Sequence, residues 1–201
     1  MDSSPSGWSG AYQGAIALAK PDSSGRRFTQ FSGGFVQIST SNYDPFYATG
    51  AVSIEAWYQG DSSILSRPEV IFAKGTDANP HNDGSILLFA RPAYQTFESN
   101  SSSIGAAAPS KASANEWHQV IIEFDSNAGK SQMFLDGGEI ASTNTPFSLL
   151  KNSGGFAIGE QSLNGYNYTF SGYISDVSLY NYSLSPSQVS KHFVAGKPSH
   201  T

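Results

Sequence analysis

The sequence predicts an all-β sandwich. Short alternating or apolar runs are broken at regular intervals by Gly, Ser, Asn and Pro. A tight-turn signal, Asp136-Gly137-Gly138, falls between two of these runs, and one short helical pattern closes the chain. Many short strands, hairpin turns and a single helix are what two packed antiparallel sheets require.

The strands are read in order. The first half carries "GAIALA" (14–19), "RFTQF" (27–31), "FVQIS" (35–39), "VSIEAWYQ" (52–59), "EVIFAK" (69–74) and "SILLFA" (85–90). The second half carries "AYQTFES" (93–99), "WHQVIIEFD" (117–125), "SQMFLD" (131–136), "EIAS" (139–142), "GFAIG" (155–159) and "FSGYISDVSLYNYS" (170–183). The helix is "LSPSQVSKHFVAG", with Ser185 as N-cap, Pro186 at the first helical position and Gly196 as its stop. Val189 and Phe193, four apart, give it an apolar face. The polar stretch 99–115, rich in Ser and Ala, is expected to be a loop.

Composition narrows the function classes. The 201 residues are read as one domain, residues 1–201, with a core of about 14–195. Charged residues make up 13%, about half the usual share, so Ser, Gly, Asn and Thr solvate the surface. That suits an extracellular, cell-surface or virion-surface setting. A net charge of -5, with Arg26 and Arg27 the only adjacent basic pair, leaves no footprint for a nucleic acid. The apolar runs are strand-length, well short of the roughly 20 residues of a membrane-inserted helix. With no cysteine, disulfides and thiolate metal sites are excluded. "MDSSPSGWSG" lacks the basic start and apolar run of a signal peptide and is read as a processed or trimmed start.

Four segments, taken in order, resemble the laminin-G-like family of the concanavalin A-like lectin/glucanase superfamily. They are "FSGGFVQIS", "VSIEAWYQ", "NEWHQVIIEFDSNAGKSQMFLDGGEIAS" and "GYISDVSLYNYSLSPSQVSKHF". The third is similar to that family's Trp-His strand and following hairpin, the fourth to its closing strand and helix. The resemblance implies a jelly roll of two antiparallel sheets. It also implies that Trp57 and His118 are structural, and that Ca²⁺ is a candidate cofactor. Asp176 matches the family's acidic position in the last strand, whereas the early acid is replaced by Ser32. Asp77 and Asp83, in the oxygen-rich stretch 75–84 with Asn79 and Asn82, are the other candidate metal ligands.

Glu123 and Asp125 are the one pair that suggests catalysis. On a strand they share a face, with Cα atoms roughly 6.5–7 Å apart. Glycosidases of the superfamily carry a third acid just beyond, where this chain has Asn127 and Ala128. The pair is therefore expected to be the wet side of a structural strand, and no catalytic residue is assigned. His81, His118, His192 and His200 show no ligand spacing.

Sugar recognition needs aromatic faces and planar hydrogen-bonding groups together. Asn42, Tyr43, Asp44 and Tyr47 form one such cluster, and Asn164, Tyr166 and Tyr168 another. Sequons occur at Asn100, Asn167 and Asn181. The expected function is a non-catalytic recognition or adhesion module whose partner is a glycan or a surface protein. The alternatives are a structural, self-associating subunit of a filament, capsid or appendage, and an accessory domain of a larger secreted enzyme.

Overall fold

The computed structural model describes residues 9–18, 21, 25, 27–38, 49–65, 67–75, 86–90, 94–99, 102–107, 113–144, 155–160, 162–163 and 166–197. Sixteen strands occur among them: β1 Gly10–Gln13, β2 Ile16–Leu18, β3 Thr29–Ser32, β4 Phe35–Ile38, β5 Ala51–Gly60, β6 Glu69–Lys74, β7 Ile86–Ala90, β8 Tyr94–Ser99, β9 Ser102–Ala107, β10 His118–Asp125, β11 Lys130–Leu135, β12 Gly138–Thr143, β13 Phe156–Ile158, β14 Ser162–Leu163, β15 Tyr166–Asn167 and β16 Ser171–Tyr180. One α-helix, α1, spans Pro186–Gly196.

Two seven-stranded antiparallel sheets result. The first runs β1-β4-β13-β6-β7-β8-β9 and the second β12-β11-β10-β5-β16-β3-β2, with β14-β15 as a separate hairpin. This is the jelly-roll sandwich that the sequence predicts.

Strand periodicity builds the core. On β5 the even positions Val52, Ile54, Ala56 and Tyr58 point inward, and on β10 so do Val120, Ile122 and Phe124. They meet Ile71 and Phe72 of β6 and Ile86, Leu88 and Ala90 of β7 across the sandwich. Nearly every residue of β5 and β10 is buried, outward positions included, because α1 covers the outer face of the second sheet.

That helix starts where its sequence says it should. Ser185 is the N-cap, its hydroxyl accepts from the Gln188 amide, and the Gln188 side chain accepts from the Ser185 amide. Leu184 and Val189 pack on Ile121 and Phe134, and the Phe193 ring stacks on Trp57 with centroids 5.7 Å apart and planes 8° from parallel. The β11–β12 hairpin turns at Asp136 (φ 50°) and Gly137 (φ 80°). Gly137 also lies beneath Phe193, whose ring would meet a Cβ there at 3.1–3.2 Å.

Three expectations are corrected. The stretch 99–115 is not wholly loop, since Ser102–Ala107 forms β9, paired in register with β8. Alternation is weak in "SSIGAA", and an edge strand takes its hydrogen bonds from one neighbour only. An additional strand, β1, precedes "GAIALA". Finally, Glu123 is not on a wet side: it is 2% exposed.

A close approach fixes the start of β16. Gly172 has φ 136° and faces Gly60 of β5, and a Cβ there would stand 2.1 Å from the Gln59 carbonyl oxygen. Gly172→Ala is expected to destabilise the fold by on the order of 3 kcal/mol, measured by urea unfolding.

Candidate functional site

The outer face of the second sheet carries polar side chains that the helix only partly covers. Glu55 and Trp57 project outward from β5, and Ser175, Ser178 and Tyr180 from β16. Between Ser175 and Ser178 the pairing with β5 shifts by one residue, a β-bulge. Asp176 sits on that bulge with φ 49°, exposed, its Oδ2 accepting from the Ser175 hydroxyl at 2.9 Å. The bulge places this carboxylate beside Glu55 and Trp57.

Glu55 is buried and fully engaged. Its Oε1 accepts from Gln119 Nε2 at 2.6 Å, and its Oε2 from the Tyr180 hydroxyl at 3.0 Å and from His192 Nδ1 at 2.9 Å. Three donors offset the desolvation that an unpaired buried carboxylate would suffer. Burial first, then the neighbouring Glu55 charge and the hydrogen bond to it, push the Tyr180 phenol up to about 12.

An open cleft of about 270 Å³ forms there, lined by Glu55, Trp57, Asp176, Ser178, Tyr180, His192, Ala195 and Gly196. Gly196 closes its floor against the indole, since a Cβ would come within 2.7 Å of Trp57 Nε1. Gly196 is therefore the last helical residue and a packing residue, with Lys197 at the C-cap.

Of the candidate ligand and metal residues named from sequence, Asp176 is the one among the described residues that lines this cleft, together with Trp57, which the resemblance marks as structural. Tyr168 lies on the first sheet, half-buried, edge-on to Phe89 with centroids 5.6 Å apart. Tyr166 and Asn167 form β15, and Asn181 is exposed at the end of β16. Asn42, Tyr43, Asp44, Tyr47, Asp77, Asp83, Asn100 and Asn164 lie outside the described residues. Glu55 carries no signal of its own in the sequence, and His192 is read there only as a histidine without ligand spacing: they are 137 residues apart, and the docking of α1 joins them.

Calcium requires roughly six to eight oxygen ligands. Among the described residues no group of three or more carboxylate, imidazole or thiolate side chains is arranged to hold a metal ion.

The paired acids of β10 are separated by what covers them. Glu123 Oε1 accepts from the Leu184 amide at 3.0 Å, beneath the approach to α1. Burial drives its carboxyl up to about 7, opposed in part by the Leu184 amide, Lys130 and Ser53. Asp125 instead caps the following turn, accepting from the Ala128 amide at 2.8 Å.

Two further clusters have chemical interest. His118 has Asp136 Oδ2 at 2.8 Å from Nδ1 and the Ser113 hydroxyl at 3.2 Å from Nε2, the composition of a nucleophile triad. Its Nε2, however, already accepts the Ser113 amide at 3.0 Å, and the Ser113 hydroxyl donates to Glu116. His118 is buried, so the arrangement fastens the turn before β10 to the β11–β12 hairpin. At the other cluster, the Ser63 hydroxyl lies 2.5 Å from both Asp61 Oδ1 and Glu69 Oε1. Glu69 is fully buried, and that burial raises its carboxyl above the ordinary value, opposed in part by Ser63, the Ser171 amide and Arg67, whose guanidinium lies 3.0 Å from Oε1. Ser171 joins both acids as well, which clips the first sheet to the second.

A family profile for laminin-G-type domains, described as the concanavalin A-like lectin/glucanases superfamily, matches residues 32–190. The chain belongs to that superfamily. Part of it is similar to C-reactive protein of Xenopus laevis, 26% identical over 130 residues, covering 57% of this chain and 50% of the relative. The match thus spans half the length of that curated relative. Two solved structures share the fold. One is domain 4 of the extracellular GH43 arabinanase of Geobacillus stearothermophilus, in complex with arabinotriose, with TM-score 0.66 and 18% identity over 90% of this chain and 86% of that one. The other is the binding domain of botulinum neurotoxin DC in complex with SialylT, with TM-score 0.71 and 14% identity over 97% of this chain and 48% of that one.

Glu123 supplies a test of how α1 is held. Its folded-state value lies above the ordinary carboxylate value of 4.5. The folded protein therefore holds a proton that the unfolded chain releases first. Its contribution is complete below about pH 4.5 and is lost as pH rises through about 7. Glu123→Gln should remove this part of the pH dependence. The stability difference between variant and parent, from unfolding curves, should shift in the variant's favour by roughly 2–3 kcal/mol between pH 4.5 and pH 8.

Proposed function

We propose that this chain is a non-catalytic glycan-recognition module that works outside the cell or on a particle surface. The observation that carries the reading is the cleft at the helix edge. There two carboxylates, an imidazole and two hydroxyls converge beside the half-buried Tyr180 ring, over the buried indole of Trp57. Such a set satisfies sugar hydroxyls, and the exposed part of Tyr180 is aromatic surface for C–H contacts.

The relatives support it. Superfamily membership covers residues 32–190, and two proteins of the same fold were solved with a saccharide or sialyl ligand. The arabinanase domain is also of matching extent, so a module of this size serving a larger extracellular enzyme is one setting for this chain. No helix among the described residues is long and apolar enough to cross a membrane.

The non-catalytic part rests on the acids. Glu123 is engaged by Leu184 and Asp125 by Ala128, and Glu55 spends its oxygens on Gln119, Tyr180 and His192. A retaining glycosidase needs two carboxyl groups about 5–5.5 Å apart across a substrate, one of them poised as a nucleophile.

A glycan array followed by calorimetry on the full chain tests the reading. Binding to at least one oligosaccharide, with micromolar to millimolar Kd and no release of reducing ends over a day, is expected. A folded protein that binds no glycan, or one that cleaves its ligand, contradicts it.

A further inference from the structure

On one side of the sandwich a single short segment forms the end of both sheets. β1 is the last strand of the first sheet and β2 the last strand of the second, and the chain passes between them through Gly14 (φ 70°) and Ala15. All four residues of β1 are exposed, as are Ala17 and Leu18 of β2. Among the described residues no strand pairs with the outer side of either. Alternate backbone N–H and C=O groups of β1 therefore point away from β4 with no ladder to join. The opposite side is built differently: there β9 and β12, the other end strands, approach within 8 Å between Cα atoms.

The open side exposes side chains that belong to the interior. Tyr12 stands opposite Val36 in the β1–β4 register, and directly opposite residues share a face. Val36 packs on the core, so Tyr12 projects from the inner face of the first sheet, yet it is 56% exposed. On the second sheet Ile16 packs on the same core, and Leu18, two positions on, shares its face and is 63% exposed. The devices that protect an edge strand are missing as well. Residues 3–19 contain no charged side chain and 6–19 no proline, and the β1–β4 and β2–β3 registers run without a bulge.

We propose that this side is the interface of a twofold-symmetric dimer, in which β1 pairs antiparallel with β1 of a second copy and the first sheet continues across both. The occupant must bring an extended, uncharged, unpaired strand with apolar side chains on its inner face, and this chain's own edge is such a strand. A twofold axis across the sheets makes the two edges antiparallel and keeps inner face on inner face. Parity then sets Tyr12 opposite either Gly10 or Tyr12 of the second copy, and the two β2 edges come together alongside. With a net charge of -5, two copies repel, and the uncharged stretch lets them meet without facing like charges. Four residues a side make a small contact, so the dimer is a weak one. The outer faces of both second sheets turn the same way, which sets two helix-edge clefts side by side for bivalent binding. The pairing itself does not rest on the glycan reading.

Sedimentation equilibrium of the full chain, from about 1 μM to about 1 mM, tests the dimer. The mass is expected to rise from the 21.4 kDa of one chain towards twice that value, with a Kd of roughly 10–500 μM. Tyr12→Lys puts a protecting charge on the edge at a side chain already exposed, and should weaken association roughly tenfold or more. The chain has no cysteine, so a single introduced one reports the interface. Ala11→Cys should be linked into dimers by a short bis-maleimide, whereas Ser142→Cys, exposed on β12 at the opposite edge, should not. Circular dichroism checks that each variant is folded. A mass that stays at one chain throughout overturns the inference and leaves the edge to a strand of a different protein. A dimer that Tyr12→Lys leaves intact, or one linked through Ser142→Cys and not through Ala11→Cys, overturns it too, by placing the interface elsewhere. Sugar binding is measured separately, so either failure leaves the glycan reading standing.

Discussion

The buried carboxylate of Glu55 is the contact on which the arrangement of the outer face depends. One group receives a donor from β10, one from β16 and one from α1, so three elements far apart in sequence are registered on a single pair of oxygens. A carboxylate taken out of water is tolerated only when its lone pairs are filled, and leaving one of its donors out would cost more than a surface hydrogen bond returns. Glu55 therefore works as a positional constraint on the helix. The apolar contacts of Leu184, Val189 and Phe193 supply attraction without direction, whereas the His192 bond sets where the last turn lies.

The cleft is a consequence of that constraint. If α1 lay flush over β5 and β16, the outward side chains would be sealed and no ligand could reach them. Instead the bulge at Asp176 lifts one carboxylate out of the sheet, and Gly196 thins the helix end where it passes over Trp57. The same helix closes over Glu123 further along. One element thus buries one carboxylate beyond reach and leaves another at the lip of a cleft. The two acids that looked catalytic on β10 are consumed by the fold, and the polar groups that remain available are on β16 and α1.

Much of the fold was legible in the sequence because its signals are local. Ser185 and Pro186 state the helix start within two residues, and Asp136-Gly137 states a turn within two. On β10 the parity that puts Glu123 and Asp125 on one face puts Val120, Ile122 and Phe124 on the other, the inward one, since side-chain direction on a strand follows from parity alone. The resemblance carried by the Trp-His strand and the closing strand adds the jelly roll of two antiparallel sheets, which local rules do not contain.

The site was mostly hidden for the opposite reason. Parity says that Glu123 points away from the core but not that Leu184, 61 residues later, will cover it. Glu55 and His192 each read as ordinary polar residues until α1 brings them to 2.9 Å. Asp176 was legible through its match to a family position, yet its outward placement comes from a bulge that alternation cannot foresee. The most direct test of this account is the protonation pattern of the His192 ring, read from long-range ¹H–¹⁵N correlations of the full chain at mildly alkaline pH. The account predicts the proton on Nδ1 and an unprotonated Nε2, reverting towards the ordinary tautomer mixture in Glu55→Gln. A proton found on Nε2 in the parent protein would contradict it.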